Sequence, residues 1–252
     1  MSNASILGVI PARLASTRLP RKVLRELAGK PLVEWVWRAA VASAAMDAVI
    51  VATDSDEVME VCRARGIVAE MTSADCASGS DRVFEIAQRH PANIYVNIQG
   101  DEPLLTTAHF RKLLAPFSDE AVDVTTLAVR CAEDEVDNPN AVKVVTGADG
   151  RALYFSRAAI PFDRDGHSVL LRKKHLGIYA YRRAALERFA ALAPSPLELT
   201  EKLEQLRMLE NGMRIVVADV ALDTIGVDTE EDLLRAEALL LDRINSIEPD
   251  AD

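Results

Sequence analysis

Five cations crowd one short stretch of this 252-residue sequence: Arg13, Arg18, Arg21, Lys22 and Arg25 fall within thirteen residues, with no acid before Glu26. The chain as a whole carries a formal net charge of −10, so the cluster runs against the overall field. Ser16 and Thr17 add hydroxyls and short side chains suited to turns. Converging charge-assisted donors and backbone N–H groups are what the oxygens of a polyphosphate require. The same charges also fit a solvated basic loop, and clustering alone does not separate the two readings. Neither GxxxxGK[ST] nor GxGxxG occurs, which argues against a Walker loop and removes the best support for a nicotinamide enzyme.

Two acidic segments complement the cations. Gln99-Gly100-Asp101-Glu102-Pro103 follows an apolar run, with Gly100 permitting a sharp turn and Pro103 halting a strand. Carboxylates at the mouth of a parallel sheet are placed to hold a hard cation such as Mg²⁺, although an acidic turn alone is the commoner arrangement. In Gly226-Val227-Asp228-Thr229, Asp228 with Glu231, or Thr229 with Asp232, has the spacing of a helix cap. From spacing alone Asp228 reads first as a cap rather than a ligand. Ser78-Gly79-Ser80-Asp81-Arg82 opens a further helix, whose free N–H groups could meet a ligand or simply be capped by Ser78 or Ser80. From His175, strand alternation puts His175, Gly177, Tyr179 and Tyr181 on one face, either wet or ligand-facing, and Leu176, Ile178 and Ala180 on a core face.

The elements that must position these residues alternate along the first hundred positions. Strands are predicted at Ile6 to Pro11, Ala48 to Thr53, Ile67 to Met71 and Asn93 to Ile98. Helices are predicted from Pro31, from Ser55 to Arg65 and from Gly79 to Arg89. This order implies a parallel sheet covered on both faces, with the basic loop at the carboxyl end of its first strand, where open α/β sheets bind ligands. After about Ala121 strands predominate, at Val122 to Val129, Ala141 to Val145, Ala152 to Phe155 and His175 to Tyr181, as an antiparallel insertion would show. A helix at Leu197 to Glu210, a strand at Arg214 to Val220 and a helix at Thr229 to Asp242 close the pattern, and the acidic tail after Ile247 is expected to fray.

Bulk properties narrow the field. With 49% hydrophobic residues the chain can bury a sizeable core, and its acidity disfavours nucleic acid and anionic membrane as partners. Cys62, Cys76 and Cys131 share no metal-ligand spacing and read as reduced thiols in a reducing compartment. No apolar run approaches the roughly twenty residues of a membrane span, and no secretory signal is visible. The expectation is a cytoplasmic protein.

Taken in order, these segments resemble the sugar cytidylyltransferase family. The resemblance rests on Ile10-Pro11-Ala12-Arg13, Ser16-Thr17-Arg18-Leu19-Pro20 with Lys22, Gly29-Lys30-Pro31-Leu32, Val51-Ala52-Thr53-Asp54, Ser78 to Arg82, Asn97 to Pro103 and Gly226 to Thr229. Asn138 to Lys143, Phe155-Ser156-Arg157, His175 to Tyr179 and Leu203 to Arg207 are similar to the branch that uses the eight-carbon acid sugar 3-deoxy-D-manno-octulosonate (KDO). Ser80 stands where threonine is expected and Glu230 where proline often follows. The resemblance implies one domain over residues 1–252, a Rossmann-like nucleotidyltransferase sheet, mostly parallel, with an antiparallel insertion at about 121–182. It implies transfer of CMP from CTP to KDO with release of pyrophosphate, for lipopolysaccharide biosynthesis, by a homodimer. Arg13, Lys22, Asp101 and Asp228 are then catalytic, with Asp101 and Asp228 holding Mg²⁺. CTP falls to Pro11, Ala12, Arg13, Ser16, Arg18, Lys22, Ser78, Gly79, Ser80, Arg82 and Gln99, and the sugar to Arg157, His175, Tyr179, Glu204 and Gln205. Another acid sugar such as a sialic acid, or a nucleotide-binding regulator without turnover, remains as an alternative.

Overall fold

The computed structural model describes residues 5–16, 18–166 and 172–247, so Thr17 and the tail after Ile247 lie outside the described residues. The chain divides into two compact units, one of Met1–Ala92, Asn97–Phe110 and Thr224–Asp252, the other of Asn93–Val96 and Arg111–Asp223.

The first unit opens with β1 (Ile6–Pro11), followed by the basic loop with one 3-10 turn at Lys22–Leu24. Two short strands, β2 (Glu26–Leu27) and β3 (Lys30–Pro31), lead into α1 (Leu32–Ala42). β4 (Ala48–Thr53), α2 (Asp56–Ala64), β5 (Ala69–Met71) and α3 (Gly79–Arg89) follow. β1 pairs in parallel with β4, Leu7 opposite Ala48 through Pro11 opposite Ala52, and β4 pairs in parallel with β5. Val9, Ile10, Val51 and Ala52 are fully buried, as strands covered on both faces require. β5 starts at Ala69 rather than Ile67, because the left-handed Gly66 turns the chain so that the Ile67 N–H bonds back to the Cys62 carbonyl at 2.9 Å. β6 (Ile94–Asn97) ends in this unit, where the Ile98 N–H donates to the Val9 carbonyl at 2.9 Å. The Gln99–Glu102 turn and α4 (Thr107–Leu114) come next.

The second unit carries the antiparallel strands. β7 (Val124–Arg130), β8 (Lys143–Thr146), β9 (Ala152–Ser156) and β10 (Lys173–Arg182) pair antiparallel as β7 with β10, β10 with β8 and β8 with β9. After them come α5 (Arg183–Ala190), α6 (Pro196–Glu201), α7 (Gln205–Glu210) and β11 (Ile215–Asp219), which lies parallel to β7. The single helix expected at Leu197 to Glu210 is two. Lys202 adopts a left-handed conformation (φ 56°, ψ 47°) and its N–H closes on the Glu198 carbonyl at 2.7 Å, which ends α6 and lets Leu203 turn into the core. Strand alternation after His175 is also interrupted, because the register against β7 shifts between Leu176 and Tyr179.

The last helix, α8 (Glu230–Ile247), belongs to the first unit, and its Leu233, Ala236 and Leu240 join a buried cluster with Leu19, Leu27, Leu32, Leu104 and Val227. Arg243 adds a hydrogen bond to the Leu104 carbonyl at 2.7 Å.

Gly100 is required by close approach. A Cβ placed there would lie 2.7 Å from the Pro11 carbonyl oxygen, a backbone atom at the end of β1 that has little freedom to give way. Gly100→Ala is therefore expected to lower unfolding free energy by about 1–3 kcal/mol, by the overpacking of a filled space, with denaturant unfolding as the measurement. Wild-type stability in that variant would show that the turn has room to move.

Candidate active site

Backbone first brings the two carboxylate-bearing segments together. The Val227 N–H donates to the Asp101 carbonyl at 2.9 Å, so Asp228 follows directly on a residue bonded to Asp101. Buried neighbours hold each charged residue: Leu19 is next to Arg18, Val227 next to Asp228, and Leu104 three positions after Asp101.

Lys22 occupies the focus of the arrangement. Its Nζ donates to Asp101 Oδ2 at 2.6 Å and to Asp228 Oδ1 at 2.9 Å, and its side chain is 15% exposed. Burial works against the ammonium, but Asp101 and then Asp228 outweigh it, and the pKa ends above its ordinary value. Arg18 bonds the other oxygen of Asp228, Oδ2, at 2.8 Å. Arg21 pairs with Glu57, and Arg25 with Glu230 at 2.6 Å. Arg13 is exposed and, among the described residues, has no acidic partner. Pro11 and Ala12 continue β1, with the Ala12 N–H bonded to the Ala52 carbonyl at 2.8 Å. Ser16 is half-buried in the loop.

The competing roles of Asp228 separate cleanly. Thr229 Oγ1 accepts from the Asp232 N–H at 3.2 Å, and Asp232 Oδ2 accepts in return from the Thr229 N–H at 3.0 Å and from the Asp228 N–H at 3.2 Å. Thr229 and Asp232 cap α8, which leaves the Asp228 carboxylate to the cations.

Ser78 caps α3 in a reciprocal box with Asp81, and Gly79 packs so that a Cβ would sit 3.4 Å from Pro11 Cγ. Ser80 is buried beside it, and Gln99 bonds the Asn97 side chain at 3.4 Å. Arg82 differs from the loop cations: it is 3% exposed and donates to Asp54 Oδ2 and Thr72 Oγ1, each at 2.7 Å, and to the Ser73 carbonyl. Its guanidinium braces the Thr72–Ser73 segment that precedes Ser78.

The expected sugar residues all fall in the second unit. The face of β10 that was open to two readings is largely covered by aromatic rings, with Tyr179 and Tyr181 buried and His175 and Gly177 half-buried. Phe155, His175, Tyr179, Tyr181 and Phe189 form an aromatic row with successive ring centroids 5.0, 5.3, 5.9 and 6.4 Å apart. The Thr126 hydroxyl donates to the Ile178 carbonyl at 2.7 Å, so it accepts from Nε2–H of His175 at 2.9 Å, which leaves Nδ1 as an acceptor. Burial pushes the imidazole pKa down to about 3, so His175 is neutral and acts by hydrogen bonding rather than charge. Among the described residues the buried Tyr179 hydroxyl has no hydrogen-bond partner, a cost of about 1–3 kcal/mol that a bound hydroxyl would relieve. Arg157 is engaged by backbone: Nε donates to the Glu201 carbonyl and Nη1 to the Pro139 carbonyl, both at 2.8 Å, and Nη2 to Lys202. Ser156 Oγ and the Arg157 N–H bind the Glu201 carboxylate at 2.6 and 3.0 Å. Glu204 is half-buried and Gln205 buried just after the left-handed Lys202. Thr126 and Glu201, which orient His175 and Arg157, were not among the expected site residues; Glu201 shares a polar ridge with Glu204 and Gln205 that reads as solvated, and nothing in its local sequence marks Thr126.

A family model described as cytidylyltransferase matches residues 7–215. The chain belongs to the cytidylyltransferase family. This cytidylyltransferase is 64% identical over 243 residues to the 3-deoxy-manno-octulosonate cytidylyltransferase of Acidobacterium capsulatum, covering 96% of this chain and 99% of that one. It is 53% identical over 237 residues to the enzyme of the same name from Koribacter versatilis, covering 94% and 90%. Among solved structures it is similar to a CMP:2-keto-3-deoxy-manno-octonic acid synthetase complexed with CTP, at a TM-score of 0.91 and 40% identity over 95% of this chain and 100% of the other. The fold is thus the family's mixed α/β arrangement, parallel in β1, β4 and β5 and antiparallel through β7 to β10.

The half-buried, neutral His175 carries a pH signature. Its folded pKa of about 3 lies below its ordinary 6.5, so an unfolded chain binds a proton that the folded one refuses. The stabilisation is complete above about pH 6.5 and is lost as pH falls toward 3, by up to about 1.4 kcal/mol per pH unit. His175→Asn should make the wild-type fall in unfolding free energy between pH 6.5 and 5 shallower by about one proton's slope, read by denaturant melts at each pH. Parallel slopes for the two proteins would mean that His175 titrates normally in the fold.

Proposed function

We propose that this cytidylyltransferase transfers CMP from CTP to the anomeric hydroxyl of KDO and releases pyrophosphate, for lipopolysaccharide synthesis. The observation that carries the reading is Lys22 held between Asp101 and Asp228 at the carboxyl end of β1, in a chain 64% identical to an enzyme named for this activity. In the reaction the sugar oxygen forms a bond to the α-phosphorus, the bond from that phosphorus to the β-phosphate oxygen breaks, and the hydroxyl proton leaves. No covalent enzyme intermediate is needed, so positioning and charge neutralisation supply the rate.

Arg13, free of acidic partners among the described residues, and Lys22 and Arg18, which can exchange carboxylate for phosphate, would hold the triphosphate and stabilise the departing pyrophosphate. Pro11, Ala12 and the Ser78–Ser80 helix start would border the nucleoside. In the second unit His175 Nδ1, the Tyr179 hydroxyl, Glu204 and Gln205 offer donors and acceptors suited to a polyhydroxy acid, with Arg157 fixing the Pro139 turn and the Glu201–Lys202 bend around them.

Magnesium fits the first unit. Asp101 Oδ2 and Asp228 Oδ1 already converge on one cationic nitrogen, and carboxylate oxygen is the ligand type Mg²⁺ prefers. Among the described residues no group of three or more His, Cys, Asp or Glu side chains could hold a metal, so phosphate and water oxygens would complete the shell. When bound, Mg²⁺ would neutralise phosphate charge and lower the pKa of the attacking hydroxyl. The proposal extends to a homodimer with contacts from the inserted region, where Leu153 and Phe162 are exposed. It also extends to a cytoplasmic setting, in keeping with three free cysteines and with the lack, among the described residues, of a helix long and apolar enough to cross a membrane.

A coupled pyrophosphate assay tests the reaction: CTP, KDO and Mg²⁺ should give pyrophosphate, and EDTA should abolish it. Turnover of a sialic acid but not KDO by folded protein would overturn the sugar assignment. Because Thr229 and Asp232 supply the cap, Asp228→Asn should change unfolding free energy by less than about 1 kcal/mol, as half-exposed ion pairs do. The same variant should lower turnover at limiting Mg²⁺ by about a hundredfold or more, with partial recovery at high Mg²⁺. Near-normal turnover there would remove Asp228 from metal binding.

A further inference from the structure

The oxygens that suit a metal are the ones Lys22 holds. Asp101 Oδ2 and Asp228 Oδ1, at 2.6 and 2.9 Å from Nζ, are the two that converge, and Arg18 takes the remaining oxygen of Asp228 at 2.8 Å. A divalent cation at the shared face must therefore displace the ammonium or draw the carboxylates off it. Lys22 cannot simply swing to water without loss. Its side chain is 15% exposed, and the flanking Val23 is buried on the turn that carries it. Truncated of its partners it would leave a half-buried charge unpaired, which is unfavourable.

We propose that Lys22 is a competing counter-ion for the metal site, so that metal binds tightly only when a polyphosphate gives Lys22 a new partner. The proposal rests on the reading of Asp101 and Asp228 as metal ligands and adds a coupling that this reading does not require. Metal with protein alone meets a lysine already seated on its ligands. Metal with a triphosphate does not, because phosphate oxygens accept the ammonium as it leaves. The exchange conserves charge: two carboxylates pass from one monovalent to one divalent cation, while the lysine passes to an anion. By linkage, whatever factor the nucleotide adds to metal affinity the metal adds to nucleotide affinity. Arg25 provides the internal control. It is a cation of the same loop, but its partner is Glu230 rather than either converging carboxylate.

The experiment titrates Mn²⁺, followed by its paramagnetic resonance signal, into the full chain with and without CTP. For protein alone, Lys22→Met should bind Mn²⁺ at least about tenfold more tightly than wild type, since a charge-assisted contact to the ligands has been removed. With saturating CTP the advantage should vanish or reverse. Arg25→Met, which removes the same charge, should shift Mn²⁺ affinity less than about threefold. Circular dichroism and thermal melts establish that each variant is folded, and Lys22→Met/Asp101→Asn should lose the gain. Unchanged or weaker Mn²⁺ binding by folded Lys22→Met overturns the proposal, as does an equal gain in Arg25→Met, which would make the effect one of general charge. Those outcomes leave the proposed reaction standing if the wild type still releases pyrophosphate; absence of that release sinks the reaction instead.

Discussion

An ammonium between two carboxylates is a costly arrangement to leave to chance, because the half-buried Lys22 is unfavourable without a carboxylate beside it. Here the fixing is done by apolar side chains one to three residues away. Leu19, Leu104 and Val227 are drawn into one cluster with Leu27, Leu32 and three residues of α8, and none of them is more than 7% exposed. Their burial sets the paths of three segments far apart in sequence, and the Val227–Asp101 hydrogen bond sets their register. Asp101, Asp228 and Lys22 can then meet only where those paths cross. The charges decorate a crossing that the hydrophobic effect has already located.

The close approach at Gly100 follows from the same crossing. For the Asp101 turn to lie against the end of β1, one residue must present no side chain to the Pro11 carbonyl, and only glycine can. The parallel pairing of β1 with β4, and of β4 with β5, brings the loop ends to a common edge, so that Gly79 lies near Pro11 while the basic loop leaves β1.

Much of this was legible. The apolar runs Ile6–Pro11 and Ala48–Thr53 are bounded by polar turns, and Gly79–Arg89 opens on a capping sequence, so these elements have the predicted bounds. The break at Lys202 was not readable, because a lysine in the left-handed region bears no sequence mark where glycine would. The helix α4 escaped notice since its eight residues make little more than two turns, and α5 since β10 runs straight into it at Arg182. The basic loop and the Asp101 turn stood out by charge, and family resemblance, not spacing, gave Asp228 its role. Which of Asp228 and Thr229 caps α8 could be settled only by geometry, because both spacings fit. Side chains that act on others from a distance in sequence, such as Thr126 on His175 across 49 positions, leave no local trace.

Partner type divides the cations in a way that charge counting does not. Arg157 ends on backbone carbonyls, and Arg82 on a mixed network of the Asp54 carboxylate, the Thr72 hydroxyl and the Ser73 carbonyl. A ligand that took either guanidinium would have to break several such hydrogen bonds at once, each worth about 0.5–1.5 kcal/mol. Arg18 and Lys22 end on carboxylates, which any arriving metal ion can satisfy instead. Arg18 and Lys22 can therefore change partners by exchanging one anion for another, which Arg82 and Arg157 cannot do without losing neutral acceptors as well. Arg82 and Arg157 instead fix backbone, Arg82 before the Ser78 turn and Arg157 at the Pro139 turn and the Lys202 bend. Cations that look alike in the sequence thus differ in what they can release, according to what lies at the end of their hydrogen bonds.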